Sequence, residues 1–509
     1  MRCRNGACAN RAIYHHSRAS CLSLGRFVCD LGHICGVRIA IFWTNVAEMY
    51  HLRAPEHRWL RRSLPFALAL GAMTDQDETL RVMRTNPLGL WPDTAYDAMV
   101  ARREFLGRSL ILMNAPEMIR HVLITRNDIY RRTSTAIRLL RPLIGRGLLL
   151  SESALWQRQR RVIAPTLAPR AIPTLMVPAA AAIDAWCDAQ AALPGPIDLL
   201  RSLQGLALEI AARSMFSISA VPFAQSVRAL IGSATIIGLS KPDYLDMVLP
   251  ARVPAPRDLR RWWFQRRWMG LISRMIAARE AAPATGAPRD LFDLLRTASA
   301  ADGAGGRRQL RDEVATMIIA GHETTALTLF WACVLIADHP QTQARLAAEA
   351  ATLDLAGDGA VLAAALERLV FTRAVVQEAL RLYPPAAMIT RRATIADDCA
   401  GVDVPKGATV MVAPWVLHRH RSLWHAPERF DPGRFLPGAA SYDRFAYLPF
   451  GAGPRVCVGA QFALAESTLA LAALMQRFAI SRVDSDPVQA VVVLTTHPNR
   501  APLFRLTPR

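Results

Sequence analysis

The chain has 509 residues, 52% hydrophobic, 20% charged and 7% aromatic, with a formal net charge of +20. That is enough apolar material for a large core, and it excludes a disordered chain, a disulfide mini-scaffold and a fibrous repeat. All but two of the 61 basic residues are arginines, spread along the chain rather than gathered with aromatics in one patch, so no nucleic-acid partner is expected.

A GC-rich coding sequence explains the arginine bias, and a basic docking face for an acidic partner is the second reading. The nine cysteines are odd in number and lack any Cys-x-x-Cys spacing. They make no disulfide framework, and a cytoplasmic, reducing location is expected.

Residues 1–72 carry ten arginines against three acids, with scattered Cys and His and no periodicity. They read as an N-terminal extension, disordered or preceding a true translation start at Met73. An organelle transit peptide is the alternative. The apolar run Leu64–Met73 is broken by Pro65 and is about half the length of a spanning helix, so no transmembrane anchor is expected.

Residues 73–509 read as one domain. Helical patterning covers Ala98–Phe105, Pro116–Arg126, Ala154–Ala164, Ala179–Ala192, Ser202–Phe216, Trp262–Ala282, Gln341–Leu353 and Phe462–Phe478. The strand-like pieces are short: Ser109–Met113, Ile389–Ala393, Thr409–Ala413 and Val491–Leu494. Without βαβ alternation no Rossmann domain is expected, and Gly451-Ala452-Gly453 fails as a dinucleotide fingerprint because position 456 is Val.

The longest helical candidate is Leu310–Asp338, ended by Pro340. It is apolar nearly all round except for Gly321-His322-Glu323-Thr324-Thr325, and a helix of that kind runs through a protein's interior. An unpaired carboxylate there costs several kcal/mol, about the size of penalty that marks a site. A His-Glu-x-x-His zinc site fails, because residue 326 is Ala.

Near the C-terminus, Pro449–Glu466 places Cys457 between Gly453 and Gly459 with Arg455 two residues before it. Such a loop can aim backbone N–H groups at one sulfur and stabilise a thiolate, helped by the positive end of a helix from about Val458. A buried free cysteine is the plainer reading of any lone Cys.

The larger set decides between them. Phe450-x-x-Gly453-x-Arg455-x-Cys457-x-Gly459 resembles the haem-binding loop of the cytochrome P-450 family. Ala320-Gly321-His322-Glu323-Thr324-Thr325 is similar to its oxygen-activating segment, Glu378-x-x-Arg381 to its Glu-x-x-Arg, and Trp156-x-x-x-Arg160 to a motif that meets a haem propionate. In the family's spacing the third member of the Glu-Arg-Arg cluster is Arg434 rather than Arg429, although Gly433 replaces the usual Glu.

The resemblance runs from about Met73 to the end. It implies a mainly α fold with minor β, a single-domain triangular prism with haem b between the central helix and the Cys-loop helix. Cys457 is then the iron ligand, and Arg455, Arg160, Arg391 and Trp156 the propionate partners, with Arg392 the alternative to Arg391. Phe450, Gly453 and Gly459 shape the loop. Ala320 and Gly321 leave room for O2, Glu323 and Thr324 handle protons, and Glu378, Arg381 and Arg434 form a structural cluster.

His322 is expected to face a neighbouring helix and carries no role. The implied activity is monooxygenation of a hydrophobic substrate by a monomer fed by a separate ferredoxin or flavodoxin with its NAD(P)H-dependent reductase. Only 52 residues follow Cys457, so a fused reductase is not expected. A peroxide-driven peroxygenase and a haem-thiolate sensor are the alternatives, and neither needs the Glu323–Thr324 pair. Pocket lining is expected from residues 133–150, 217–256, the central helix, 385–390 and 495–498.

Overall fold

The longest apolar stretch of the chain becomes its longest helix, Gly303–Ala337, 35 residues in length. It is apolar on every side, so other helices can pack all round it. Leu199–Phe216, Leu291–Ala300, Asp258–Ala281, Ser134–Ile144, Val370–Leu382 and Ala460–Arg477 do so. The computed structural model describes residues 70–105, 107–236, 241–281, 290–300 and 303–509. The reading of residues 1–69 as an extension lies outside the described residues.

By contacts the chain falls into two units, residues 1–79 with 104–108, and residues 80–103 with 109–509. What is described of the first begins at Leu70, where the helix Leu70–Thr85 starts. The boundary expected at residue 73 therefore falls inside a helix. All of the site described below belongs to the second unit.

Helix starts follow capping chemistry. Thr133 accepts from the Ala136 N–H ahead of Ser134–Ile144, and Asp198 accepts from the Arg201 N–H ahead of Leu199–Phe216. Pro340 opens the helix Pro340–Ala350, where its missing N–H costs nothing.

The main sheet has five strands in the order β1-β2-β8-β5-β3. They are β1 Val100–Phe105, β2 Arg108–Met113, β3 Tyr130–Arg131, β5 Ile389–Ala393 and β8 Thr409–Val412. β2 runs parallel to β8, while β5 is antiparallel to both β8 and β3. Small sheets complete the β region: β4 Ile197–Asp198, β12 Leu503–Pro508 and β9 Phe478–Arg482 in the order β4-β12-β9, the hairpin of β6 Asp397–Cys399 and β7 Val402–Val404, and the hairpin of β10 Ala490–Val492 and β11 Thr496–Pro498.

The expected helix Ala98–Phe105 is wrong. Val100–Phe105 is edge strand β1, because pairing with β2 outweighs the local preference of Ala, Arg and Glu. The other expected elements form, although the helices Ile172–Ala191 and Gly303–Ala337 each start seven residues before the expected Ala179 and Leu310. Among the described residues one helix, Gly305–Ala337, is long and apolar enough to cross a membrane, and most of its apolar stretch is buried inside the protein.

Candidate active site

Between residues 312 and 333 the central helix is buried except at one place. Ala320 is exposed and Ile319, Gly321 and Thr324 are half-buried. An exposed alanine midway along a core helix means that open space lies inside the fold at that point. Thr324 sits one turn after Ala320 and its hydroxyl donates to the Ala320 carbonyl at 2.6 Å. Thr325 faces the other way, donating to the buried Glu466 of the helix Ala460–Arg477. Burial pushes the Glu466 carboxyl up to about 8.

Glu323 is buried, yet His497 Nε2 lies 2.9 Å from its Oε1. Burial works to raise its pKa, but the His497 hydrogen bond and the neighbouring imidazoles outweigh burial and hold the carboxyl below its ordinary value. His322 is buried, and burial lowers its pKa, with Arg228 of the helix Val221–Ile236 adding to the effect. It points into packing. Gly321 does so too: a Cβ there would lie 3.5 Å from Met215 Cε and 3.6 Å from Ala211 Cβ. Its small size thus serves the fit of the helix Leu199–Phe216, and Ala320 rather than Gly321 borders the open space.

Cys457 is the one exposed thiol of the four described free cysteines, since Cys187, Cys333 and Cys399 are buried. Its N–H donates to the Phe450 carbonyl at 2.9 Å, closing the loop ahead of the helix Ala460–Arg477. Gly453 has φ +75°, and a Cβ there would fall 2.1 Å from the Leu123 carbonyl oxygen, so only glycine fits. Gly459 differs from expectation. Its φ is negative, and a Cβ would meet only Leu167 at 3.9 Å, so the protein itself leaves room for a side chain.

The expected thiolate stabilisation is also only partial. The Gly459 N–H and the Arg160 cation lower the Cys457 pKa, but burial outweighs them and the net direction is up. Cys457 is exposed as a residue, while protein atoms gathered around it desolvate the thiol. A metal bound there would deprotonate it outright.

At the edge of this region arginines gather. Trp156 lies under two of them, Arg160 at 5.7 Å and Arg455 at 4.7 Å from the ring centre. Arg160 donates to the Val456 carbonyl at 3.0 Å, and Arg455 to the Ser151 carbonyl at 2.8 Å and Glu152 at 2.7 Å. Arg391 donates to the Thr390 carbonyl, while its strand neighbour Arg392 is exposed.

A fourth cation, Arg132, escaped the sequence reading. Burial, then Arg391 and Arg455, push it down to about 9, and burial with Arg455 pushes Arg391 down to about 10. Arg132 Nε is 3.8 Å from Glu152, and neither that nitrogen nor Glu152 Oε1 makes a hydrogen bond. Among the described residues, Glu152 is the acid that offsets the mutually repelling guanidiniums of Arg132, Arg391 and Arg455. The cluster calls for further anionic groups.

Behind the loop, Arg381 and Glu378 are fully buried and form a two-pronged ion pair at 2.7 and 2.8 Å. Arg381 also donates to the carbonyls of His418, Pro427 and Arg429. The Arg434 guanidinium lies 3.6 Å from Glu378, whereas the Arg429 side chain is exposed. The buried His418 accepts from the Leu448 N–H at 2.8 Å, which ties the cluster to the segment leading into the cysteine loop.

These residues fit one kind of group. An accessible thiol, open space bordered by an alanine and a threonine, and an under-neutralised arginine edge suit a flat apolar disc that carries carboxylates and binds iron through sulfur. That is the site of a haem-thiolate protein.

The comparisons agree. The profile of the Cytochrome P450 family matches residues 98–501, and the chain belongs to that family. It is 33% identical over 380 residues to cyclooctatin synthase of Streptomyces melanosporofaciens, covering 73% of this chain and 80% of that protein. It is 32% identical over 404 residues to pentalenene oxygenase of Streptomyces avermitilis, covering 77% of this chain and 87% of that protein. The crystal structure of cytochrome P450DA heme domain superposes with a TM-score of 0.67 at 24% identity, over 81% of this chain and 90% of that one, which shows the fold. The protein is a cytochrome P450 monooxygenase, an oxidoreductase that uses haem.

Proposed function

We propose that this monooxygenase inserts one atom of O2 into a hydrophobic small molecule, a fatty acid, terpenoid or similar lipid, using haem b and electrons from a separate ferredoxin or flavodoxin. The overall reaction is RH + O2 + two electrons + two protons giving ROH and water. The observation that carries the reading is the exposed Ala320 and half-buried Thr324 on an otherwise buried helix, in one fold with the accessible Cys457.

When bound, a haem ligated by a thiolate supplies iron whose electron richness favours O–O cleavage. Cys457 would ligate it. Arg132, Arg160, Arg391 and Arg455 would hold its carboxylates, with the Trp156 ring between two of them. On the other side Thr324 can pass a proton through its hydroxyl, and Glu323 can supply one. The intact Glu323–Thr324 pair favours this reading over a peroxygenase or a sensor.

Thr324→Ala is expected to keep haem and substrate binding while diverting electrons from product to hydrogen peroxide. The measurement is product formed per NAD(P)H consumed. Unchanged coupling would sink the role of the hydroxyl.

A basic face favours an acidic electron donor. A surface groove of about 760 Å3 is lined by Trp156, Gln157, Arg160, Arg161, Ala164, Pro165, Ala168 and Arg170. Arg161 and Arg170 are exposed along it, as is nearby Arg158. Arg455 is engaged by Glu152 and the Ser151 carbonyl rather than turned to this face. Steering by exposed cations speeds encounter, and the effect falls with ionic strength.

Purified protein with NAD(P)H and substrate is expected to form no product until a ferredoxin and its reductase are added. Arg161→Glu should then slow reduction without changing substrate binding. Turnover without an added partner would contradict the proposal. The four described cysteines are free, which supports a reducing, cytoplasmic location, and cell fractionation tests it.

A further inference from the structure

A buried acid that delivers protons must be reloaded from solvent on every turnover. Glu323 is 8% exposed, and His497 is the side chain that reaches it. His497 lies on β11 in the C-terminal hairpin, 174 residues away in sequence, and its side chain is 20% exposed. The imidazole therefore has one end on the carboxylate and part of its surface accessible.

Its position is fixed by its neighbour. Thr496 donates through its N–H to the Pro385 carbonyl at 3.1 Å and through its hydroxyl to the Pro384 carbonyl at 2.6 Å. The indole of Trp331, on the central helix, donates to the Thr496 carbonyl at 2.9 Å. The hairpin is thus pinned to the same helix that carries Glu323.

The other titratable and charged groups facing this pair are few among the described residues. His322 acts on Glu323, and Arg228 acts on His322 from the helix Val221–Ile236. His322 is 2% exposed and its Nδ1 has no hydrogen-bond partner, so it offers no path to solvent.

We propose that His497 is the positioning residue and proton relay of Glu323. The proposal rests on the reading of Glu323 as the proton-supplying acid. The imidazolium gives its Nε2 proton to Glu323 Oε1, leaving a neutral imidazole and a neutral carboxyl. Glu323 releases that proton on the Thr324 side and becomes a carboxylate again. The imidazole regains a proton from solvent. One proton moves inward per cycle and no electron moves.

The test uses the full chain with haem and three single variants, with the double variant His497→Phe/Glu323→Gln as a control: His497→Phe, which removes the ring nitrogens; His497→Gln, which keeps a hydrogen-bond donor but cannot release a proton; and Glu323→Gln. All three should retain the thiolate-type absorption of the reduced carbon monoxide complex and the substrate-binding shift. Product per NAD(P)H should fall about 100-fold in each, the low end of what a placed proton donor contributes. Independently of turnover, the infrared spectrum of His497→Phe should gain a protonated-carboxyl stretch that is absent in His497→Phe/Glu323→Gln.

Wild-type coupling in either His497 variant, or no new carboxyl stretch, overturns the relay. If Glu323→Gln uncouples and the His497 variants do not, the relay alone fails. If Glu323→Gln also stays coupled, the underlying reading of Glu323 fails with it.

Discussion

Cys457→Ser is expected to abolish the thiolate-specific absorption of the reduced carbon monoxide complex completely. Sulfur is a soft ligand and a thiolate donates far more electron density than a hydroxyl, so serine cannot stand in. Nor can another cysteine among the described residues. Cys187, Cys333 and Cys399 are buried, and burial pushes each thiol up to about 12. Cys333 lies on the central helix itself but faces the core, and Cys399 closes the small hairpin β6-β7. The fold around the loop should survive, because Cys457 contributes one backbone bond to Phe450 that serine keeps. A spectrum of the purified variant decides it, and persistence of the band would remove Cys457 as the ligand.

Glu378→Ala is expected to cost about 3–5 kcal/mol, the penalty for leaving one member of a buried ion pair uncompensated. Arg381 would keep its three carbonyl partners, but its charge would sit fully buried without the carboxylate that now meets two of its nitrogens. Arg434 and the Asp431 N–H would lose the same oxygen. Against a total stability of about 5–15 kcal/mol, this is a large fraction. The damage should reach the site, because His418 joins the cluster to Leu448 just ahead of the cysteine loop. Poor haem retention and a strongly lowered melting temperature are the expected readouts, with Glu378→Gln milder since the amide still accepts from Arg381. A melting temperature for Glu378→Ala equal to that of the parent would show the cluster to be dispensable.

The comparison of strand β1 with the central helix shows where local sequence suffices. Leu310–Asp338 is apolar on nearly all sides over many turns, and a helix shielded from water on every face satisfies both its backbone and its side chains. Val100–Phe105 is too short to carry its own preference, and the neighbouring strand converts it. The same contrast runs through the site. The cysteine loop, Glu378 with Arg381, and Glu323 with Thr324 each lie within a few residues of one another, so their spacing states their chemistry.

Arg132 and His497 have no such neighbours in sequence. Arg132 is one of many arginines in an arginine-rich chain, and it gains meaning only where pairing of β3 with β5 sets it near Arg391 and Arg455. His497 sits in an apolar hairpin and meets Glu323 across 174 residues. Gly321 and Gly459 make the reverse point, since their motifs are plain in sequence while their actual neighbours, Met215 and Leu167, are not. The sequence by itself determined the family, because the cysteine loop, the Glu323–Thr324 pair and the Glu378–Arg381 ion pair are short-range patterns. Tertiary structure alone decided which distant charges share that site, because electrostatic partnership depends on distance in space and on burial, and neither is written in the spacing of residues.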